Sequence, residues 1–239
     1  MDWGMTGAEA IGAGCDIAVI IDVLSFTTTL SVAADRGAVV FPYPRRDDRA
    51  VRFAADHDAI LAVGRSAASG GQVSLSPRSV RTAPSLRRLV LPSPNGSAIS
   101  FRLARTTTDV VGVSLRNRQA TADWLIDRWI EQPTLRVAVV AAGERWPDQS
   151  LRPAAEDLWG AGALIESLHA AGWRDVSPEA LAASAAFRAV AEELGPALRN
   201  CASGRELIGT GYVDDVRTAA ELDTSRSVPL LQGEAFRPV

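Results

Sequence analysis

Lysine is missing: all 25 basic residues of this 239-residue chain are arginine. That excludes a Schiff-base lysine, a Walker-type phosphate lysine and a lysine general base. Anion recognition is left to arginine, backbone N–H groups or a metal. Cysteine and histidine are scarce, two of each. So few cysteines exclude a disulfide scaffold and fit a reducing compartment, which makes a cytoplasmic location the expectation. Neither Cys15 nor Cys201 opens a Cys-x5-Arg phosphatase loop, because Ile21 and Leu207 stand where the arginine belongs. A His-rich metal site is excluded too; His57 and His169 read as surface positions. Long apolar runs are absent. The longest are strand-sized, as at 17–21 and 137–142, well short of the ~20 residues of a membrane span. Residues 1–14 hold no basic segment ahead of an apolar core, so no secretion signal is expected. A net charge of −3 argues against a nucleic-acid partner.

What is present is a globular composition, 47% hydrophobic and 22% charged. Apolar β-branched runs alternate with helical stretches. Strands are expected at 16–22, 38–41, 59–63, 86–91, 109–114, 135–142 and 228–231. Helices are expected at 27–36, 47–56, 95–105, 118–130 and 153–171. Gly37 stops the first of these. Ser177-Pro178-Glu179 caps and opens a helical block that reaches Leu222 without a strand of its own. Residues 64–84, rich in Ser, Gly and Pro, read as a long loop. The alternation predicts βαβ units, hence a three-layer α/β/α fold with a mostly parallel sheet. No linker isolates the helical block, so one domain over 1–239 is expected.

Ligands of such sheets bind beyond the carboxyl ends of the strands. Asp22 stands there, followed by Thr27-Thr28-Thr29. It resembles the phosphate-accepting Asp of haloacid-dehalogenase enzymes, but that motif needs a second Asp two residues on, and Leu24 occupies the place. Asp22 is then either a helix cap or a chemical group. Ser93-Pro94-Asn95-Gly96-Ser97 is a strand-to-helix turn whose free N–H groups can hold an anion, or a plain capped turn. Glu144, Glu156 and Asp157 supply hard oxygen ligands of the kind Mg²⁺ takes. Neighbours on a helix diverge by ~100°, so Glu156 and Asp157 do not easily aim at one point, and either can instead complement the helix dipole. Asp214-Asp215 read as the opening of another helix. Trp146 and Trp159 read as packing residues, and Cys201 as a small buried one. Asp22, Asn95, Glu144 and at least one of Glu156 and Asp157 are expected in one pocket.

The order of these pieces resembles the 2-phosphosulfolactate phosphatase family. The likeness runs from the strand ending in Asp22-Val23-Leu24 through Ser76-Pro77, Asn95-Gly96-Ser97, Ala142-Gly143-Glu144, Glu156-Asp157 and Gly160-Ala161-Gly162. It ends at Gly211-Tyr212-Val213-Asp214-Asp215-Val216 and Val228-Pro229. The resemblance implies an α/β/α phosphatase outside the haloacid-dehalogenase lineage. It implies Mg²⁺-dependent hydrolysis of 2-phospho-3-sulfolactate or a relative, a small anionic phosphate ester. In that setting Asp22, Asn95 and Glu144 are the expected catalytic residues. Asp22, Glu144, Glu156 and Asp157 are the expected metal ligands, and Thr27, Thr28, Arg65, Gly96, Ser97 and Arg145 the substrate contacts. Arg65 or Arg145 can clamp a carboxylate or sulfonate bidentately. The chain departs from many members in reading Ser25-Phe26 for Arg-Ala, Pro94 for Thr, and Gly64-Arg65-Ser66-Ala67 in the long loop. The alternative is a non-catalytic anion- or metabolite-binding protein on the same scaffold. No Gly-x-Ser-x-Gly elbow supports an ester hydrolase of another class. A homodimer is left open.

Overall fold

The computed structural model describes residues 1–105 and 109–239. Its elements are, in order, β1 (Asp2–Trp3), α1 (Gly4–Gly12), β2 (Ile17–Ile21), α2 (Phe26–Asp35), β3 (Val39–Tyr43), α3 (Asp48–Asp56), β4 (Ile60–Leu61), α4 (Pro77–Thr82), β5 (Arg88–Pro92) and α5 (Gly96–Leu103). There follow β6 (Asp109–Val113), α6 (Arg118–Glu131), β7 (Val137–Ala141), β8 (Glu144–Arg145), β9 (Leu151–Arg152), α7 (Ala155–Ala170), α8 (Pro178–Arg188), α9 (Leu194–Asn200), α10 (Ala202–Gly209), α11 (Val213–Ala219), β10 (Pro229–Gln232) and β11 (Ala235–Pro238).

β2 is buried at every position, as its uniformly apolar sequence IAVII requires of a strand covered on both faces. It pairs in parallel with β6 and β7, while β5 pairs in parallel with β3 and β4. The C-terminal hairpin β10–β11 lies between the two parallel blocks, joined by one antiparallel pair on each side, Leu230 with Val111 and Phe236 with Val40. Side chains on a strand alternate between faces, and this alternation makes the layers. Ile17, Val19 and Ile21 pack with α6, α7 and α8; Ala18 and Ile20 pack with α1, α2 and α5. Fully burying each large aliphatic of this core contributes about 1.5–3 kcal/mol. The expected α/β/α architecture with a mostly parallel sheet is the one observed.

Several elements differ from the expectation. Residues 1–14 form β1 and α1; a two-residue strand and a glycine-rich helix have too little periodicity to read. The loop at 64–84 contains α4, whose start follows Ser76 with Pro77 in its first turn. The hairpin β8–β9 precedes α7, and β11 follows the expected last strand. The block after Ser177 is four helices, opened by a Ser177 side chain that accepts from Ala180 N. It folds back so that α11 packs against α4, and this return brings chain from far downstream to the carboxyl end of β2.

Candidate functional site

The turns after β2, β5 and β7 meet, and an acid sits at two of them. Asp22 is 6% exposed. Its Oδ1 accepts from Ser25 N at 2.9 Å and Phe26 N at 3.1 Å, and its Oδ2 from Gly96 N at 2.8 Å. One carboxylate thus caps α2 and ties the start of α5 to it. A Cβ on residue 96 would lie 2.4 Å from the Phe26 ring and 2.7 Å from Asp22 Oδ2, so only glycine permits this approach. Burial raises the Asp22 pKa; the three N–H groups and the Arg65 charge oppose it.

Asp157, in the first turn of α7, makes the matching clamp. It accepts from Val23 N at 2.7 Å and Gly143 N at 2.8 Å. Gly143 has φ +66°, the left-handed region where glycine is at ease. Burial, then the charges of Asp22 and Glu156, hold the Asp157 carboxyl well above the usual range. Glu156 is 2% exposed and its Oε2 has no partner. Glu144, at the start of β8, accepts from Asn95 Nδ2 at 2.9 Å. Its pKa is pushed up to about 7, by burial first and then by Asp22 and Glu156. Asp22, Glu144, Glu156 and Asp157 therefore share one buried neighbourhood, with Asn95 on its rim. Glu156 and Asp157 indeed diverge, one to the acids' common space and one to backbone N–H groups. Cys201 lies beside Glu156, and burial followed by that charge pushes its thiol up to about 12, which makes it inert as a nucleophile.

The remaining expected site residues fall in two groups. Thr27, Thr28 and Ser97 are fully buried, and their hydroxyls donate to Asp22 O, Val23 O and Leu91 O at 2.8, 2.7 and 2.6 Å. They brace the turns from behind, and the Gly96 N–H is already given to Asp22. Arg145 is exposed on the hairpin and reaches Asn95 Oδ1, Gln149 O and Pro94 O only at 3.4 Å each. Arg65 is held: its Nε donates to Asp215 Oδ2 at 2.8 Å, and its guanidinium lies 5.7 Å from the Tyr212 ring centre. Ser76 donates to the other Asp215 oxygen. Leu75 O accepts from Ser25 Oγ and Thr29 Oγ, which seats this loop on α2. Asp215, 2% exposed, is the residue that sequence reasoning treated as a helix opener. The stretch 211–216 of the family resemblance includes it, but nothing local tells its role, because its partners are 139 and 150 positions away.

Two expectations outside the site change. His57 is half-buried, its ring 4.0 Å from Phe53 and 4.7 Å from Phe41, and Trp146 is 50% exposed under the Arg152 guanidinium. Trp159 packs on the core as expected.

Two cavities adjoin the acids. Glu144 and Asn95 line a pocket of about 120 Å³ beneath the hairpin. Arg65, Ser74, Ser76, Tyr212 and Asp215 line one of about 500 Å³. A third, of about 620 Å³, lies beside the stacked Trp129–Trp173 pair at the amino end of β7, away from the acids. The donor chemistry fits a hard divalent cation: buried carboxylates repel one another, and Glu156 Oε2 lacks any partner. Among the described residues no three Asp, Glu, His or Cys side chains close into a ready-made cage. Mg²⁺ tolerates this, since it takes one or two carboxylates and keeps waters. No helix among the described residues is long and apolar enough to cross a membrane.

Fold and site together define an α/β/α protein with a group of neighbouring acids at its strand ends. Comparison with known proteins narrows this. The pattern of the family described as 2-phosphosulpholactate phosphatase matches residues 8–234. The chain is 31% identical over 220 residues to a protein of Deinococcus radiodurans named "Probable 2-phosphosulfolactate phosphatase", covering 90% of this chain and 88% of that one. Proteins of the same name from Thermus thermophilus and Synechococcus sp. (strain WH7803) are each 32% identical over 223 and 240 residues, covering 91% and 92% of this chain and 89% of each relative. The chain belongs to the 2-phosphosulpholactate phosphatase family.

Proposed function

We propose that this protein hydrolyses the phosphate monoester of an anionic 2-hydroxy acid, 2-phosphosulfolactate or a close relative, with Mg²⁺ as cofactor. Family membership supports the reaction class. The observation that carries the metal is the meeting of Asp22, Glu144 and Asp157, with Glu156 buried beside them and its Oε2 unpartnered among the described residues; burial raises the first three, and like charge adds to this for Glu144 and Asp157. One or two of the carboxylates of Asp22, Glu144 and Glu156 would hold the ion, with water completing its shell, and Asp157 would keep Val23 and Gly143 in place beside it. When bound, Mg²⁺ neutralises charge on the transferring phosphoryl group.

The chain's own groups supply the rest. Glu144, with a pKa near 7, is suited to exchange a proton at working pH. Asn95 Nδ2 occupies Glu144 Oε2 and leaves Oε1 for that proton. Asp22 is fixed by three backbone N–H groups, so its carboxylate costs no reorganisation during the reaction. The test is phosphate release from 2-phosphosulfolactate by the purified protein, with Mg²⁺ and with excess EDTA. Release with Mg²⁺ and none with EDTA is expected. Full release in EDTA removes the metal from the reading, and no release under any condition removes the activity.

A further inference from the structure

The Arg65 guanidinium is only half used. Its Nε is taken by Asp215, and Tyr212 covers its face. Nη2 is shut off from solvent and has no hydrogen-bond partner among the described residues. A buried, unpaired guanidinium nitrogen is costly, and a carboxylate or sulfonate seated against the Nη edge would satisfy it. Asp215 is 2% exposed and receives both Arg65 Nε and Ser76 Oγ, so it fixes the direction of that edge.

Position separates Arg65 from the reacting phosphate. The cavity of about 500 Å³ that it lines with Ser76, Tyr212 and Asp215 includes none of Asp22, Glu144, Glu156 or Asp157. Yet Arg65 is the cation whose charge favours ionised Asp22, and its loop is seated on α2 through Leu75 O. It stands in a chamber next door to the acids. An ester of the class named for the relatives carries acid groups besides its phosphate, and those need a cationic partner of their own.

We propose that Arg65, aimed by Asp215, holds the non-transferring acid group of the substrate, and that Asp215 is a positioning residue for substrate choice. The proposal rests on the phosphatase reading for its substrate class, but its binding test does not require turnover.

Calorimetry with 3-sulfolactate, lactate and inorganic phosphate as probes tests it first. Arg65→Met should weaken 3-sulfolactate about 30- to 100-fold, the scale of a lost bidentate charged pair. Inorganic phosphate should weaken at least about tenfold less than 3-sulfolactate, because Arg65 acts on the acids only through its charge. A parallel loss for lactate assigns the carboxylate to Arg65; an unchanged lactate affinity assigns the sulfonate. Asp215→Asn should weaken 3-sulfolactate about 10-fold, with partial recovery in Asp215→Glu, a pattern that simple loosening of the fold would not produce. Should Asp215→Asn fail to fold, Arg65→Lys, which keeps the charge and removes the fork, carries the test with the same expected loss.

Steady-state rates give the second arm. In Arg65→Met, KM for 2-phosphosulfolactate should rise with kcat within about 3-fold, and kcat/KM for 2-phosphosulfolactate should fall about tenfold or more beyond any fall for ethyl phosphate, which has no other acid group. Equal losses for all probes, or no loss for 3-sulfolactate, overturn the proposal while leaving hydrolysis intact. Arg65-dependent binding of 3-sulfolactate by a protein that hydrolyses no ester upholds the proposal and overturns the phosphatase reading.

Discussion

The acidic side of this site and the basic side, in the cavity next to it, are built by different means. On the acidic side, Asp22 and Asp157 are held by backbone N–H groups of the strand-end turns: Ser25, Phe26 and Gly96 for one, Val23 and Gly143 for the other. Main-chain donors come with the fold itself, so this geometry survives most side-chain substitution. On the basic side, Arg65 depends on side chains of a loop and of α11, Ser76, Tyr212 and Asp215, which meet only after the helical block folds back. Chemistry common to a phosphatase site belongs on the first kind of support. Substrate choice, which has to change, belongs on the second.

The largest effect should come from breaking the acidic side. Asp22→Asn puts an NH₂ where a carboxylate oxygen now accepts a backbone N–H. A cap alone would lose about 1 kcal/mol; an unsatisfied buried N–H raises the expected loss to about 1–3 kcal/mol. Turnover of the phosphate ester should fall by about a hundredfold or more. Urea unfolding and steady-state rates read both. A variant with near-normal turnover would make Asp22 purely a scaffold group and remove the functional difference between the two sides.

A smaller effect tests the charge repulsion. Glu144 is raised from 4.5 to about 7, so the folded state holds its proton where the unfolded chain has lost it. Stability of the metal-free protein should therefore fall as pH rises from about 4.5 to 7, with the cost fully present above that window. Glu144→Gln should flatten this slope and stabilise the metal-free protein at pH 8 by on the order of 1–3 kcal/mol. The slope should not vanish, since Asp22 and Asp157 are raised in the same sense. Unfolding at pH 5 and pH 8 in EDTA measures it. Loss of stability in Glu144→Gln at pH 8 would mean the carboxylate is balanced by a partner rather than strained by its neighbours.

The same division explains what could be read in the sequence. β2, β6 and β7 declare themselves by unbroken apolar runs, and Asp22, Asn95, Glu144 and the Glu156-Asp157 pair follow from standing at strand ends or a helix start. Those are local signals, and the structure gathers these residues in one place. Thr27, Thr28 and Ser97 have the same address, yet they turn inward to carbonyls, because strand-end position does not say which way a hydroxyl points. α4 had its signal in Ser76-Pro77, hidden by the Ser- and Gly-rich company around it. Asp215 had none for its role. A pairing across 150 positions has no period or spacing to betray it. β1, β8 and β9, two residues each, are too short for alternation to show.

The smallest effect sharpens the basic side, where the sequence offers two arginines for one task. Arg145 sits on the hairpin next to Glu144, so proximity to the acids favours it. Its support does not. It is exposed, and its three hydrogen bonds are all 3.4 Å long, weaker than a normal N–H···O bond. An exposed charge is screened and gains little from any one partner. Arg65, by contrast, has a buried carboxylate under its Nε. Arg145→Ala should thus change stability by less than about 0.5 kcal/mol, as surface substitutions do. KM for 2-phosphosulfolactate should move by less than about threefold, since a mobile, hydrated guanidinium must be ordered before it can clamp an anion. The measurement is KM and kcat for Arg145→Ala beside Arg65→Met under one buffer. A tenfold rise in KM for Arg145→Ala, at constant kcat, would place the clamp on the hairpin, beside the acids, and would end the separation of a backbone-built acidic side from a side-chain-built basic one.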